Sequence, residues 1–572
     1  MKQINVKYSP LPHIKDSYAN HPYLCLGKQK LFILSTVIVI IFLLYCSKKS
    51  ELFETSTESS SHFVETESSS ISPGFVYSDV VFNGTKADLL LTNESDRLTK
   101  ILPVSHVFIV SAYYYPTSKS LGKNAVAINM VVDSKNFKVD HSNYNIVGSN
   151  ETHSELSVAE SQSEAIKMCR YAPVVARANS VDRMSKLEME SEGVKVEIPF
   201  KLARYTAPKP VIICISPQFV AEQWQIFLMH VHVAHRFGAH MHIYIISIVN
   251  AFFDLMKEYE TMGYLTMEKW VKMKITNSET PYFELNLNTE LRNQAGALSD
   301  CLLQYKEAAE FIAFFDMDDI LVPLNYPTYL QEFTAEWQVQ ENTTSLIYGR
   351  REHEFVKGMI HVLIRSGQVL PDPVRPGLKL NSERLSEFNF HELVASLRSS
   401  LVKAGKSVVK PALHNSTWIH VSHREAASTR HNVAHPRLIH VQRPIQKHGN
   451  NEIKALWKFD FKAFNETIKE EDIQAIEVDI WRVRNISSIA EIGTRLPSVD
   501  YYFPIVFKCY LDEFYGRALT KCPNAERCKL PQRSDYKCIH TDAEYFSGPT
   551  MKPFTYHFSD NPVWSKDYGC YQ

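Results

Sequence analysis

The sequence has 572 residues, 45% of them hydrophobic, so it is long enough for several domains and can bury a large core. Its 62 Lys and Arg residues nearly balance 63 Asp and Glu residues, which gives a formal net charge of −1. This balance excludes the strongly basic surface that non-specific nucleic-acid binding requires, so we expect no nucleic-acid partner.

The first predicted element is an apolar run at residues 31–46 that contains no charged residue. A membrane-spanning helix usually has about 20 such residues, but lysines flank both ends of the run and can extend to the membrane interface. A buried core helix would show a polar stripe, and a cleaved signal peptide would have a shorter leader than residues 1–30. We therefore predict a single transmembrane anchor.

The charges around this run predict its orientation. Residues 1–30 carry five lysines and one aspartate, whereas glutamates become frequent soon after residue 50. Because positively charged flanks tend to stay in the cytosol, residues 1–30 are predicted to be a cytosolic tail and the chain beyond residue 46 to be lumenal. This is a single-pass type II topology, and we expect a Golgi location.

Two further patterns agree with a lumenal location. Eight of the ten cysteines follow the apolar run, and an even number favours disulfides in an oxidising compartment. A zinc site at Cys522, Cys528 and Cys538 is the alternative, which the lack of a C-x-x-C pair disfavours. The N-x-S/T sequons, which are candidate glycosylation sites, lie at Asn83, Asn93, Asn150, Asn342, Asn415, Asn465 and Asn485.

Composition then divides the lumenal part. Residues 47–100 are rich in Ser, Thr and Glu, which predicts a disordered stem because such a segment cannot bury enough apolar surface to fold. Residues 101–205 contain β-branched and aromatic runs that predict a small β-rich subdomain, with strands at 106–115, 124–132 and 194–200.

From 206 to 500, strands alternate with helices, which predicts an α/β domain built on a parallel sheet. Residues 501–572 follow as a Cys-rich C-terminal segment. Ligands bind such sheets beyond the carboxyl ends of the strands. The predicted strands are 210–216, 242–246 and 311–315, and the predicted helices are 220–238, 250–262 and one that Thr289 caps.

The candidate chemistry lies where the third of these strands ends. Asp316, Asp318 and Asp319 follow the apolar run 311–315 directly. Grouped carboxylates repel one another, and a divalent metal relieves the repulsion while it binds substrate phosphates. The alternatives are a solvated acidic loop and the nucleophile loop of a haloacid-dehalogenase-type phosphatase. The second is disfavoured because the chain has no Gly-Asp pair.

Several short motifs occur in order around this acidic turn. Through them, residues 209–445 resemble glycosyltransferase family 92, a group expanded in nematodes. The family more often has Asp-Glu where this chain has Asp318-Asp319. The motifs are Cys214-Ile-Ser-Pro217, Trp224, His242-Ile-Tyr244, Gln294, Asp300-Cys301, Phe314-Phe-Asp316-Met-Asp318-Asp319, Lys406-Ser-Val-Val-Lys410-Pro411, Trp418-Ile-His420 and Leu438-Ile-His440.

The resemblance implies a glycosyltransferase A-type (Rossmann-like) fold, Mn²⁺ or another divalent cation, a UDP-sugar donor and a glycan or glycoprotein acceptor. It further implies transfer of galactose from UDP-galactose with inversion. Asp316 and Asp318 are then expected to contact the metal and the nucleotide, with Asp318 the more direct ligand. A late histidine often completes such sites, and His440 fits by position, with His420 as the alternative.

The remaining assignments stay open at the level of sequence. Lys406 or Lys410 could meet a phosphate or lie in a solvated loop. Glu352 and Glu354 are weak candidates for the general base. Trp224 is expected in the core. A catalytically inactive, membrane-tethered glycan-binding or scaffold protein of the same fold is the alternative function; an adhesion ectodomain fits the strand-helix alternation poorly.

Overall fold

The computed structural model describes most of residues 105–570. The predicted tail, anchor and stem (1–100) and the sequon Asn465 lie outside the described residues. No helix in the described part of the chain is long and apolar enough to cross a membrane. The longer gaps in the description are 135–142, 164–168, 276–283, 356–363, 370–383, 443–467 and 514–521, with shorter ones at 324, 366–367, 423–424, 435–437, 499, 529, 532, 534–535, 551 and 568–569.

Strands make up most of the regular structure. They are β1 (Ser105–Ser118), β2 (Gly122–Asp133), β3 (Asn143–Ser149), β4 (Ser154–Ser163), β5 (Tyr171–Asn179), β6 (Lys186–Ser191), β7 (Val194–Glu197), β8 (Lys201–Leu202), β9 (Val211–Gln218), β10 (Ala239–Ile245), β11 (Ser247–Val249), β12 (Leu265–Lys269), β13 (Phe311–Phe315), β14 (Asp319–Leu321), β15 (Ser345–Phe355), β16 (Ile364–Arg365), β17 (Gln368–Val369), β18 (Leu397–Val409), β19 (Arg430–Asn432), β20 (Leu438–Gln442), β21 (Cys538–Ser547) and β22 (Phe554–Asp567).

Helices lie mainly between residues 224 and 513. The α-helices are α1 (Trp224–Arg236), α2 (Asn250–Thr261), α3 (Leu285–Asn288), α4 (Gln294–Tyr305), α5 (Tyr329–Trp337), α6 (Phe390–Ser396), α7 (Glu470–Arg484), α8 (Ser487–Gly493) and α9 (Tyr502–Glu513). Short 3₁₀ helices lie at Glu290–Arg292, Leu385–Glu387, Pro411–Leu413, Ala427–Thr429 and Ala525–Arg527.

The first sheet contains the β-rich region that the sequence predicts. Its strand order is β11-β21-β22-β1-β2-β5-β4-β3-β6-β7, and β8 pairs with β1. Strands β21 and β22 come from the C-terminal segment, and β22 runs parallel to β1. The Cys169–Cys522 disulfide also joins this segment to the first half of the chain. The Cys-rich end is therefore part of the sheet.

The second sheet confirms the predicted α/β class. Its order is β12-β10-β9-β13-β18-β15-β20-β14, and β12, β10, β9 and β13 are mutually parallel. Strands β10 and β13 are buried along their whole length, as expected for central parallel strands that are covered on both faces. Beyond β13 the sheet continues with the antiparallel strand β18.

Helix α4 joins the two sheets. All twelve of its residues are buried, and the Cys214–Cys301 disulfide links it to β9. Asp300 on this helix accepts hydrogen bonds from Tyr113 of β1 (2.9 Å) and Tyr244 of β10 (2.5 Å). A buried carboxylate must be hydrogen-bonded to be tolerated, and these hydroxyls meet that need from both sheets.

The eight predicted lumenal cysteines form four disulfides, which confirms the disulfide prediction. The three that could have formed a zinc site, Cys522, Cys528 and Cys538, each belong to a different bond. Trp224 is fully buried in the core, as predicted, where its indole nitrogen donates to the Pro497 carbonyl at 2.8 Å.

Candidate metal and donor site

The acidic turn lies at the carboxyl end of β13, in the middle of the second sheet. The turn is closed by a hydrogen bond from the Asp319 amide to the Asp316 carbonyl at 3.1 Å. The chain then enters β14, which pairs with β20 so that Asp319 lies opposite His440. The Val441 amide donates to the Asp318 carbonyl at 2.9 Å. The sheet itself therefore brings His440 to the acidic turn.

Three side chains here could hold a metal ion. Asp318, Asp319 and His440 each offer one ligand atom, and these atoms lie within 4.8 Å of one another. His440 Nδ1 lies 2.9 Å from Asp319 and 3.6 Å from Asp318. Two carboxylates and an imidazole make a donor set that suits Mn²⁺, so the residues present fit the metal that the sequence predicts.

Exposure separates the two aspartates of this cluster. Asp319 is fully buried, whereas the Asp318 side chain is 34% exposed. Asp319 accepts the His440 hydrogen bond and also lies 3.6 Å from Lys406 and 3.9 Å from Arg350. Asp319 therefore has partners within the protein, and Asp318 is the carboxylate that an ion from solvent can reach.

The pKa values follow from this arrangement. Burial raises the pKa of Asp318 to about 6; His440 opposes the shift, and Asp319 and Asp316 add to it. Burial alone would lower the pKa of His440, but Asp318 and Asp319 outweigh it and raise that pKa to about 9. A bound cation would relieve the repulsion from neighbouring carboxylates that adds to the raised pKa of Asp318.

Asp316 faces a different set of partners. One of its oxygens accepts hydrogen bonds from Ser216 (2.9 Å) and Gln294 (2.7 Å), and the other from Lys406 (2.7 Å). Burial opposes ionisation of Asp316, but the Lys406 ammonium outweighs it, so its pKa is lowered. The structure thus places Asp316 beside the metal cluster, in a network of side chains from β9, α4 and β18.

Lys406 is fully buried, so the solvated-loop alternative is wrong for this residue. Its amine also donates to the Ile419 carbonyl at 3.1 Å, which together with Asp316 satisfies the buried charge. Lys410 lies over the rings of Phe311 and Trp337, at 5.6 and 4.8 Å from their centroids. Phe311 begins β13, so Lys410 is at the opposite end of that strand from Asp316.

The two candidate histidines differ in position. His440 belongs to the cluster, whereas the Nδ1 of His420 contacts the Gly405 carbonyl at 3.1 Å. Burial, reinforced by Lys406, lowers the pKa of His420 to about 4. His420 is therefore neutral at pH 7 and lies beside the Asp316 network. Its proton is on Nδ1, because the Gly405 carbonyl can only accept.

Of the two candidate bases, Glu352 lies on β15 next to the cluster. It is buried, 3.9 Å from His440 Nε2 and 3.6 Å from Arg350. The structure describes the backbone of Glu354 on the same strand, but its side chain lies outside the described part.

The N-terminus of α4 shows unusual backbone geometry. Leu291, Arg292 and Asn293 have φ values of 44°, 55° and 60°, in the left-handed region that costs most residues about 1–2 kcal/mol each. The predicted start at Thr289 is wrong: its hydroxyl donates back to the Leu285 carbonyl at 2.7 Å, and α4 begins at Gln294. This strained segment delivers Gln294 to Asp316, and strain of this kind clusters at functional sites.

A cleft of about 470 Å³ adjoins the acidic turn at Met317. Its wall includes Phe219 and Val220 after β9, and Tyr502 and Phe503 at the start of α9. Glu222, which is buried, fixes this start because its carboxylate accepts the backbone amides of Tyr501 and Phe503.

Four predicted glycosylation sites lie in the described part of the chain. Asn342 and Asn485 are exposed, and Asn150 and Asn415 are partly exposed. The Asn485 amide donates to the Trp481 carbonyl at 2.7 Å at the end of α7. Asn83, Asn93 and Asn465 lie outside the described residues, and modification of all seven stays a prediction.

Sequence reasoning alone did not assign four of the side chains that form this site: Asp319, Gln294, Ser216 and Arg350. Asp319 belongs to the acidic run, and Gln294 and Ser216 lie within the ordered motifs, so a signal existed for these three. Arg350 has no local signal, because only the pairing of β15 with β20 brings it to Asp319.

Comparison with known proteins gives a consistent result. The model of glycosyltransferase family 92 matches residues 209–484. A Caenorhabditis elegans glycosyltransferase family 92 protein is 54% identical over 491 residues, 84% of this chain and 93% of the relative. A second C. elegans protein of that description is 38% identical over 492 residues, 82% of this chain and 91% of the relative.

Solved structures are far more distant. Residues 1–349 of Staphylococcus aureus TarS, crystallised with UDP-GlcNAc, are similar at 11% identity with a TM-score of 0.20, over 53% of this chain and 76% of the crystallised TarS chain. The Pyrobaculum calidifontis mannosyltransferase PcManGT, solved with GDP-Man and Mn²⁺, has 11% identity and a TM-score of 0.21, over 50% of this chain and 76% of the enzyme.

Proposed function

The chain belongs to glycosyltransferase family 92, and we propose that it moves a hexose, galactose from UDP-galactose, onto a glycan acceptor with the help of a divalent metal. The observation that carries this proposal is the cluster of Asp318, Asp319 and His440 at the carboxyl end of β13. In a parallel α/β sheet, this is the edge at which ligands bind. A glycosyltransferase A-type fold is part of the proposal.

Asp318 and His440 would hold the metal, Mn²⁺ by preference. When bound, such an ion neutralises charge that develops on a diphosphate leaving group. Asp318 offers the exposed carboxylate, and His440 offers the ring nitrogen that does not face Asp319.

Asp319 would then orient His440 without binding the metal itself. Its carboxylate accepts the Nδ1 proton of His440 at 2.9 Å, so a metal would bind Nε2, which lies 3.9 Å from Glu352, in place of the proton that the raised pKa of His440 keeps there. Metal-binding histidines commonly donate their other ring N–H to a carboxylate in this way. Lys406 and Arg350 compensate the charge of Asp319 in the protein interior.

Asp316 and Lys406 are assigned to the nucleotide side of the site. Lys406 keeps the Asp316 carboxylate ionised, and Gln294 and Ser216 fix its orientation. An oriented carboxylate at this edge can accept a hydrogen bond from a hydroxyl of the nucleotide. Preorganised groups of this kind lose little entropy when substrate binds.

Inversion requires a carboxylate that takes the proton of the acceptor hydroxyl. Glu352 and Glu354 are the two residues predicted for this role of general base. The burial of Glu352 against Arg350 and its closeness to His440 suit a role in shaping the metal site better than direct contact with an acceptor.

The predicted type II anchor would hold the enzyme in the Golgi membrane, where glycan acceptors pass.

The test is donor hydrolysis by the full-length chain. Purified protein is incubated with a panel of UDP-sugars, with and without glycan acceptors, in Mn²⁺ or in EDTA, and release of UDP is measured. We expect metal-dependent release from UDP-galactose that Asp318→Ala abolishes and that Asp182→Ala, an exposed control, leaves unchanged.

The remaining outcomes are equally informative. Release from a different donor would correct the sugar and leave the reaction class. If no donor is bound or turned over, even with acceptors present, the catalytically inactive glycan-binding protein becomes the better assignment.

A further inference from the structure

The first turn of α4 lies at the ligand edge of the second sheet. The Gln294 side chain, on the first residue of the helix, is 2.7 Å from Asp316 at the end of β13. The first N–H groups of a helix have no acceptor within it, and the helix dipole makes this end attractive to anions. The first turn of α4 contains no acidic residue.

A second and independent feature marks the same place. Asn293, just before the helix, is 2% exposed, and neither its amide nitrogen nor its amide oxygen has a hydrogen-bond partner in the protein. Its amide lies over the first turn: a Cβ atom on Gly296 would come within 2.4 Å of it, so a larger residue there would displace the amide. A buried amide without partners is costly unless a ligand or water completes it.

The left-handed backbone gives Asn293 this position. Leu291, Arg292 and Asn293 all have positive φ, and the segment is fixed from outside by hydrogen bonds from Leu291 N to the Pro523 carbonyl (2.9 Å) and from Trp270 to the Arg292 carbonyl (3.3 Å). The Asn293 side chain therefore stays over the helix N-terminus and does not accept a capping hydrogen bond.

We propose that Asn293 and the N-terminus of α4 bind the diphosphate of the nucleotide-sugar donor, with Asn293 donating its side-chain N–H to a phosphate oxygen. This inference rests on the proposed transferase function and adds a binding group at the start of α4, next to the Gln294 side chain that contacts Asp316. Phosphate is the ligand that helix N-termini favour.

The charged groups around Asn293 permit an anion here. Asp316 is paired with Lys406, and Arg292 lies 3.3 Å from Glu526 and over the ring of Phe219. Burial keeps the nearby Glu290 carboxyl largely protonated at neutral pH, since its pKa is raised to about 8. None of these groups leaves an unpaired negative charge against the helix end.

The experiment compares Asn293→Asp and Asn293→Ala with the wild-type full-length chain. Asp has the same shape but places a negative charge on the phosphate, whereas Ala removes the donor without adding charge. Asn124→Asp is the matched control, because Asn124 is another left-handed asparagine, on the β1–β2 hairpin, whose oxygen accepts from Tyr114 at 3.0 Å. The affinities for UDP and uridine in Mn²⁺, and for Mn²⁺ alone, are measured by titration.

We expect Asn293→Asp to weaken UDP binding about tenfold or more and Asn293→Ala several-fold, as for the loss of a hydrogen bond to a charged group. Affinities for uridine and for Mn²⁺ should stay within about twofold of wild type, which also shows that the variants are folded. The control should match wild type throughout.

Three results would overturn the inference. UDP affinity that neither substitution changes would remove Asn293 from the phosphate site and leave the transferase function intact. Equal losses for UDP and uridine would make Asn293 a structural residue. If the wild-type chain binds no nucleoside diphosphate, with GDP tested beside UDP, the inference and the proposed function both fail.

Discussion

Replacement of Asp319 by asparagine tests how the proposed site would hold a metal. Asparagine keeps the shape and an oxygen that can accept from His440 Nδ1, but it removes the charge that lies 3.6 Å from Lys406 and 3.9 Å from Arg350. Loss of one partner in a fully buried charge cluster costs about 3–5 kcal/mol of unfolding free energy. The retained hydrogen bond should keep the loss near about 3 kcal/mol.

The same substitution also changes the affinity of the site for Mn²⁺. If Asp319 orients His440 and does not bind the ion, Mn²⁺ affinity should fall about 10–100-fold, the usual cost of an altered partner behind a metal ligand. That range equals about 1.4–2.7 kcal/mol. Asp318→Ala, which removes the exposed carboxylate, should instead abolish measurable binding.

The assay combines Mn²⁺ titration followed by electron paramagnetic resonance with urea unfolding of the metal-free protein. Asp182→Asn is the control; this carboxylate is 74% exposed beside Arg183, so its change should stay within about 0.5 kcal/mol. If Asp319→Asn loses Mn²⁺ as completely as Asp318→Ala, Asp319 is itself a ligand. Unchanged Mn²⁺ affinity and unchanged stability would show that Asp319 neither orients His440 nor balances the charges of Lys406 and Arg350.

Three further perturbations test the surroundings of the site. Lys406→Met leaves the fully buried Asp319 and the partly buried Asp316 without this cation, and we expect a loss of about 3–5 kcal/mol in urea unfolding together with loss of donor turnover. Near-wild-type stability would contradict the assigned network. Replacing both Cys214 and Cys301 by serine opens a crosslink across 87 residues and should cost about 2–5 kcal/mol, unless the denatured chain stays compact. Burial raises the pKa of Glu290 to about 8, above its unfolded value, so its contribution to the free energy of unfolding is lost as pH rises through 8. Glu290→Gln should therefore gain at least about 1 kcal/mol of unfolding free energy over wild type when pH 9 is compared with pH 5. Parallel curves of unfolding free energy against pH for the two proteins would refute this.

Much of the fold follows from periodicity in the sequence. The strand at 311–315 has the predicted bounds, and the helix predicted at 250–262 spans Asn250–Thr261. The strand is an apolar run, and the helix has its apolar residues at helical spacing, so the local pattern suffices for both. The first helix of the α/β domain begins at Trp224, four residues after the predicted start, because Val220 has a φ of 47° that no helix accommodates.

The site was predictable in its acidic half and only partly beyond it. Asp316 and Asp318 lie where an apolar strand ends, so position alone marks them. His440 comes to Asp319 through pairing between β14 and β20, which are more than 100 residues apart, and no local pattern records that register. The sequence left two alternatives for Lys406, a phosphate contact and a solvated loop. Its burial against Asp316 depends on the placement of β18 next to β13.

The return of the C-terminal segment to the first sheet has a consequence for biosynthesis. Strand β22 pairs with the start of β1. Strand β1 is synthesised early, so it lacks this partner until nearly the whole chain has been synthesised. Contacts this distant in sequence form slowly, and an open strand edge invites association with other chains. We expect a nascent chain that depends on chaperones until its last residues emerge, and a truncation at residue 500 that aggregates even though every residue of the metal cluster is present.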